Sequence, residues 1–308
     1  MSINNFIPEV WSGVLLKALT PNLVYGNLFN SDYQGEITRQ GDTVRITSIG
    51  DIEINDYSKD TDIKSPQALT DAQTTLSISQ AKYYNFEIDD VDQAQSMPGI
   101  MAAAMEMAAY RLAQEMDRYY AGFYVDAISA NTIGSADSPV TPDKPTYDKV
   151  GGGTTVYDYL IILNQLLTQQ SVPKVGRWAV IPPWVKSALL QDPRFTSFNT
   201  PDARETITNG QLDASAGQAP DAYLGRIEKM DIYESVNAPH LAGDVGLAGS
   251  VDVIFAGHSM AVTKAAGLTK TEAYRPPSRF ADAVKGLALY GAKTIRPYAV
   301  AAAYLRHP

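Results

Sequence analysis

The chain has 308 residues, 45% of them hydrophobic and 19% charged, with a formal net charge of −9. That length builds one large domain or two modest ones around a sizeable core, and the apolar share excludes a disordered chain, which needs low hydropathy and high net charge. The acidic balance argues against a nucleic-acid coat, which needs clustered Lys and Arg; the absence of cysteine excludes disulfides, thiolate catalysis and cysteine metal sites.

The charged share falls below the roughly 25% usual in soluble proteins, so little of the surface is expected to be plain solvated exterior. Stability must come from packing or from association. Glu9 precedes the first cation, Lys17, so no basic leader is visible. A membrane span needs about 20 apolar residues, and the longest apolar stretches, at residues 253–263 and 297–305, are about half that. A soluble protein that stays in the cell where it is made is expected.

Residues 8–19 read as a short amphipathic helix stopped by Thr20-Pro21, with Val10, Trp11, Val14, Leu15 and Ala18 at helical spacing. A helix this short is marginal in water and must dock on something. From residue 33 to 88 the pattern changes to period two. Thr43-Val44-Arg45-Ile46-Thr47, Thr75-Leu76-Ser77-Ile78-Ser79 and Tyr84-Asn85-Phe86-Glu87-Ile88 all alternate. The polar stretch 55–73 between the first two predicts a long β-hairpin arm with a polar tip. Two strands alone are marginally stable, so the arm needs a surface, such as a neighbouring subunit.

The strongest local signal follows. Ser96 is a candidate N-cap and Pro98 lies in the first turn of a helix predicted over 101–128. Met101, Met105, Ala108, Leu112, Met116, Tyr119, Phe123 and Ala127 form one stripe; Glu106, Arg111, Gln114, Arg118 and Asp126 lie mostly off it. Such a helix spans roughly 45 Å, long against a radius of gyration of about 19 Å, and acts as a spine. Residues 131–153, with Pro139, Pro142, Pro145 and Gly151-Gly152-Gly153, read as a long loop or domain boundary. Helices at 156–170 and 184–190 flank a buried strand at 177–181. A loop at 192–220 precedes strands at 227–236 and 251–255. Residues 268–305 alternate in places and contain Gly286-Leu287-Ala288-Leu289-Tyr290-Gly291, a strand bounded by glycines. There is no internal repeat.

Chemical candidates are few. Gly257-His258-Ser259-Met260-Ala261 follows a strand, as a nucleophile elbow does, and Ser259, Asp282 and His307 stand in α/β-hydrolase order. Against this, the last glycine of the motif is alanine, no HGGG-type oxyanion segment lies upstream, and too little chain follows for the later strands. Asp89, Asp90 and Asp92 make an acidic cluster, but a calcium loop counted from Asp90 lacks the glycine at position six and the Glu at position twelve. Gly151-Gly152-Gly153-Thr154-Thr155 lacks the Lys of a phosphate loop. His240, His258 and His307 stand apart with no zinc-ligand spacing. No catalytic, cofactor-binding or metal-ligating residue is assigned, and no enzyme is expected.

The order of parts resembles the major capsid proteins of tailed bacteriophages, the Hong Kong 97-type fold, over nearly the whole chain. The residues carrying the resemblance are Phe6-Ile7-Pro8-Glu9-Val10-Trp11-Ser12, Gly35-Glu36-Ile37, Gly41-Asp42-Thr43-Val44 and Tyr84-Asn85-Phe86-Glu87-Ile88-Asp89-Asp90. Further matches are Val172-Pro173-Lys174-Val175-Gly176-Arg177-Trp178, Arg279-Phe280-Ala281-Asp282 and Gly286-Leu287-Ala288-Leu289-Tyr290-Gly291. The resemblance implies an α+β fold with an N-terminal arm (1–32), an extended β-hairpin loop across a neighbouring subunit (33–82) and a peripheral domain with the spine helix (83–153). It further implies an α/β axial domain (154–262) whose loops meet at five-fold and six-fold centres, and closing peripheral strands (263–308).

The implied function is an icosahedral head shell of hexamers and pentamers enclosing double-stranded DNA, assembled in the host cytoplasm and located in the virion. A portal protein and, as a further candidate, a decoration protein would be partners. No long charged helical segment precedes the arm, so a separate scaffolding protein is expected. An acidic chain suits a shell that contains DNA without gripping it, without sequence-specific binding and without membrane contact. An encapsulin-like compartment, a phage tail or connector protein, and a hydrolase are the alternatives.

Overall fold

The computed structural model describes residues 24–32, 43–49, 71–89, 100–143, 154–192, 222–244 and 247–308, with scattered positions between 54 and 65. The predicted helix at 8–19, the cap at Ser96 and Pro98, Asp90 and Asp92, the triple glycine at 151–153 and nearly all of the loop at 192–220 lie outside them.

The hairpin forms where the alternation placed it. Strands β1 (Thr43–Ile49) and β2 (Asp71–Ser77) pair antiparallel from Thr43↔Ser77 to Ile49↔Asp71. Strand β3 (Gln80–Asp89) leaves the hairpin and joins a different sheet. That sheet has the order β10-β11-β3, where β10 is Val262–Tyr274 and β11 is Ala281–Thr294. Both pairings are antiparallel, with Tyr290↔Gln80 and Ala281↔Asp89 at the two ends of the β11–β3 ladder.

Helix α1 is a single turn, Tyr25–Leu28. The spine, α2, runs Ile100–Ala121 as a regular α-helix and then tightens to a 3₁₀ turn at Gly122–Asp126. It is shorter than the sequence stripe suggested, about 33 Å. Gly122 and the aromatic and β-branched run Phe123-Tyr124-Val125 are weak helix formers, and the 3₁₀ turn carries the aromatic stripe past the break. Met105, Ala109, Leu112 and Ala113 pack on Val284 and Ala288 of β11, flanked by Tyr84 and Phe86 of β3.

The two glycines of the 286–291 run serve opposite faces of β11. Gly286 shares a face with Val284 and Ala288, and a Cβ there would overlap the ring of Tyr84. Gly291 shares the other face with Leu289, and a Cβ there would overlap the backbone carbonyl of Ser77 at the root of the hairpin. On that face Ile46, Leu76, Ile78 and Ala265 close a small core with Leu289 and Ile295. The arm is seated through a contact only glycine permits.

The larger sheet has the order β4-β12-β9-β5-β7-β6, with β8 added on β9. Its strands are β4 (Thr132–Ile133), β5 (Arg177–Ile181), β6 (Tyr223–Ile227), β7 (Met230–Glu234), β8 (His240–Ala242), β9 (Val251–His258) and β12 (Val300–Arg306). β5 and β9 are buried along their whole length, as central strands covered on both faces are. Helices α3 (Val156–Gln169) and α4 (Pro183–Gln191) pack on it through Leu160, Leu163, Leu167, Val185 and Leu189. Thr155 and Asp158 form a capping box at the start of α3.

Two sequence expectations are corrected. The predicted strand 227–236 is a hairpin: Glu228 and Lys229 both have positive φ, 45° and 66°, and turn β6 back on β7. Glu-Lys is not an Asn-Gly turn signal, so the run read as continuous. The loop expected over 131–153 contributes β4, parallel to β12 through Thr132↔Ala302 and Ile133↔Ala303.

Candidate functional site

The hydrolase geometry fails on strand register. β9 runs on through His258, and after the turn at residues 259–261 the chain enters β10, a strand where an elbow needs a helix. Val262 pairs with Thr294, whereas Asp282 lies at the opposite end of β11. Twelve strand positions separate those ends, about 40 Å. His307 follows Arg306, which pairs with Val251, the end of β9 away from Ser259 by roughly 25 Å. The three residues occupy three separate places.

Each histidine has a structural post. His258 accepts the Met260 N–H on Nδ1 at 3.1 Å, so Nε2 donates to the Val175 carbonyl at 2.8 Å. That tautomer ties the β9–β10 turn to the loop before β5, where the Ser259 N–H also donates to Gly176 O. The His307 ring lies 4.7 Å from Trp184, centroid to centroid. Asp89 ends β3 opposite Ala281. Among the described residues no group of three His, Asp or Glu side chains is placed to hold a metal, and no helix is long and apolar enough to cross a membrane.

What the structure does build is a clamp on the N-terminal arm. Asp117 of α2 is fully buried and turns its carboxylate to the start of α1. It accepts the Tyr25 N–H at 2.9 Å and the Asn237 amide at 3.2 Å, and the neighbouring Val24 and Gly26 amides also favour its charged form. Burial pushes this carboxyl up to about 6, against the pull of those donors. On the other side Lys264 donates to the Gly26 carbonyl, and burial lowers its ammonium. Asn30 then bridges to β10, with Asn30 N–H on Val262 O at 3.1 Å and Lys264 N–H on Asn30 O at 2.8 Å. Phe29 completes the attachment, its ring centroid 5.7 Å from Tyr120 and 5.8 Å from Trp178.

Two more buried charges hold the larger sheet together. Arg177, at the start of β5, donates to the Asn164 carbonyl and the Pro173 carbonyl at 2.9 Å and to Thr168 Oγ1 at 2.9 Å. A cation near the C-terminal end of α3 also suits the helix dipole; burial lowers its guanidinium from the usual range. Asp252 of β9 accepts Trp184 Nε1 at 2.7 Å, Ser250 Oγ at 3.2 Å and His240 Nδ1 at 2.8 Å. The other ring nitrogen of His240 faces Gly243 O at 2.8 Å. Both partners are acceptors, so the charged imidazolium satisfies both, and the Asp252 hydrogen bond raises its pKa from 6.5.

Sequence reasoning did not single out Asp117, Arg177 or Asp252. The available signal for Asp117 was the i, i+4 row Ala109, Ala113, Asp117, Ala121, three small residues that let other chain approach α2 and one acid among them. The face of the smaller sheet away from α2 carries exposed Tyr83 and Leu287 opposite one another. Beside them Glu272 pairs with Lys270 at 2.7 Å and Lys285 at 3.1 Å.

The chain resembles a Mycobacterium phage Che8 structure at 24% identity and TM-score 0.64, covering 92% of this chain and 90% of that one. It resembles the capsid of Ralstonia phage GP4 at 11% identity and TM-score 0.65, covering 91% and 87%. A virus-like particle from Pyrococcus furiosus shares the fold at 9% identity and TM-score 0.54, covering 97% and 99%. No curated protein matches the chain. The model of the phage capsid protein family matches residues 73–303, about three quarters of the sequence. A spine packed on a three-stranded sheet, an arm seated beside it and a second, larger sheet are thus the parts of a capsid subunit, and the chain belongs to the phage capsid protein family.

Proposed function

We propose that this major capsid protein self-assembles as hexamers and pentamers into the closed icosahedral head shell around the double-stranded DNA of a tailed phage. The observation that carries the reading is the family match across 73–303 on a chain in which the buried charges Asp117, Arg177 and Asp252 hold its own parts together. Residues 33–82 serve as the extended loop laid on a neighbour, 83–153 and 263–308 as the peripheral domain, and 154–262 as the axial domain at the capsomer centre. Residues 1–32 serve as the arm.

Tyr83 and Leu287 on the open sheet face offer apolar area for subunit contacts. The net charge of −9 favours enclosing DNA without binding it. The role is structural, without catalysis. Assembly takes place in the host cytoplasm, with a separate scaffolding protein, a portal protein and a decoration protein as candidate partners.

Gradient sedimentation of the expressed chain, alone and with its phage's other head proteins, tests the reading. A fast-sedimenting particle is expected in at least one arm. Subunits that stay at the top of the gradient in both arms would overturn it. Ser259→Ala should leave particle yield unchanged.

A further inference from the structure

A cleft of about 650 Å³ opens between the end of α2, the start of α4 and the β7–β8 connection. Its size is that of a binding concavity. Tyr124, Pro182, Trp184, Ala238, Pro239 and Leu241 supply most of its apolar wall. Its buried polar groups are already paired with one another, since Asp252 holds Trp184 Nε1, Ser250 Oγ and His240 Nδ1. A charged small molecule finds no buried group there awaiting a partner, whereas an apolar surface finds a wall to cover.

We propose that this cleft is the dock for the apolar face of residues 8–19 of the same chain. The described arm begins at Val24, next to Tyr25, whose N–H sits on Asp117. The other oxygen of that carboxylate holds Asn237, and Asn237 lines the cleft. The chain therefore reaches its anchor at the rim. Only Thr20, Pro21, Asn22 and Leu23 separate Leu19 from Val24, a reach of at most about 18 Å. Val10, Trp11, Val14, Leu15 and Ala18 form the stripe that needs a partner. A tether this short holds the stripe at millimolar-scale effective concentration, which favours the cleft of its own subunit over that of a neighbour. Once docked, the segment braces the end of α2 against α4 and the larger sheet.

The cysteine-free chain makes the test direct. Trp11→Cys, Leu15→Cys and Ala18→Cys are each combined with Leu241→Cys in the full-length protein, and each with Phe280→Cys as a control at the far end of β11. Under mild oxidation, at least one Leu241 pair should close within the chain, shifting gel mobility without a dimer band, while the Phe280 pairs should not. Cross-links that form only between chains would make a second copy the occupant and overturn the proposal. Closure no greater than the Phe280 controls would overturn it as well. As an independent readout, Trp11→Asp with Leu15→Asp in the full-length chain should speed hydrogen exchange across 236–241; unchanged protection there would contradict docking.

Discussion

The carboxylate of Asp117 and the backbone N–H of Tyr25, 92 positions apart in sequence, meet at 2.9 Å in a site closed to solvent. Through this bond the spine helix holds the arm, and the same carboxylate reaches Asn237 beyond β7. Its pKa is lifted from 3.8 to about 6 by burial. A carboxyl whose folded pKa lies above its unfolded value favours folding most below the unfolded pKa, and that advantage is lost as pH rises through the folded one. Unassembled subunits should therefore lose on the order of 3 kcal/mol from this group between about pH 4 and pH 6. Asp117→Asn should flatten that segment of the stability–pH curve. Denaturant titrations of the two proteins across the window check it.

The packed side of the spine should not accept a charge. Leu112 is 6% exposed against β11, while Met107 on the same helix is 60% exposed. An unpaired buried carboxylate costs several kcal/mol, a large part of a stability of about 5–15 kcal/mol. Leu112→Asp should give insoluble or unassembled subunits and Met107→Asp should fold, with soluble yield as the measure. Gln114, which the sequence stripe left on the free side, is half-buried and donates to Asn237, so it is not a neutral position.

Gly291 and Gly286 should respond differently to alanine. At Gly291 the obstacle is the Ser77 backbone, which cannot step aside without unseating the hairpin root. At Gly286 it is the outer ring of Tyr84, a side chain that can shift. Gly291→Ala should cost more stability than Gly286→Ala and should raise hydrogen exchange in residues 43–49 and 71–77. Thermal unfolding with exchange measurements separates the two.

His240 should titrate above its ordinary 6.5, because the Asp252 hydrogen bond stabilises its charged form. Its contribution to stability is full below the unfolded pKa and is lost as pH rises through the folded one. Asp252→Asn should bring the midpoint down. Proton NMR of the ring during a pH titration reads both values.

The elements with a strict period were legible in the sequence. The alternation of Thr43-Val44-Arg45-Ile46-Thr47 became β1, and Leu112, Met116 and Tyr119 of the 101–128 stripe form the packed side of the spine, toward β11 and its neighbours. The glycines at 286 and 291 announced a close approach without saying to what. What stayed hidden depends on partners distant in sequence. Whether Asp117 is solvated or buried is decided by residues 24–26 and 237, and the row of small residues around it on α2 does not say which chain approaches there. The Glu228-Lys229 turn was hidden because its positive φ values fall on residues that rarely adopt them. Order alone suggested Ser259, Asp282 and His307 as a triad; the motif's departures argued against it, and register places the three residues apart.

Electron cryomicroscopy of particles formed by this chain tests the capsid account most directly. It predicts closed icosahedral shells in which residues 33–82 of one subunit lie across a neighbour and residues 154–262 meet at the five-fold and six-fold centres. Open tubes, isolated rings or dispersed monomers under conditions that yield folded protein would contradict it.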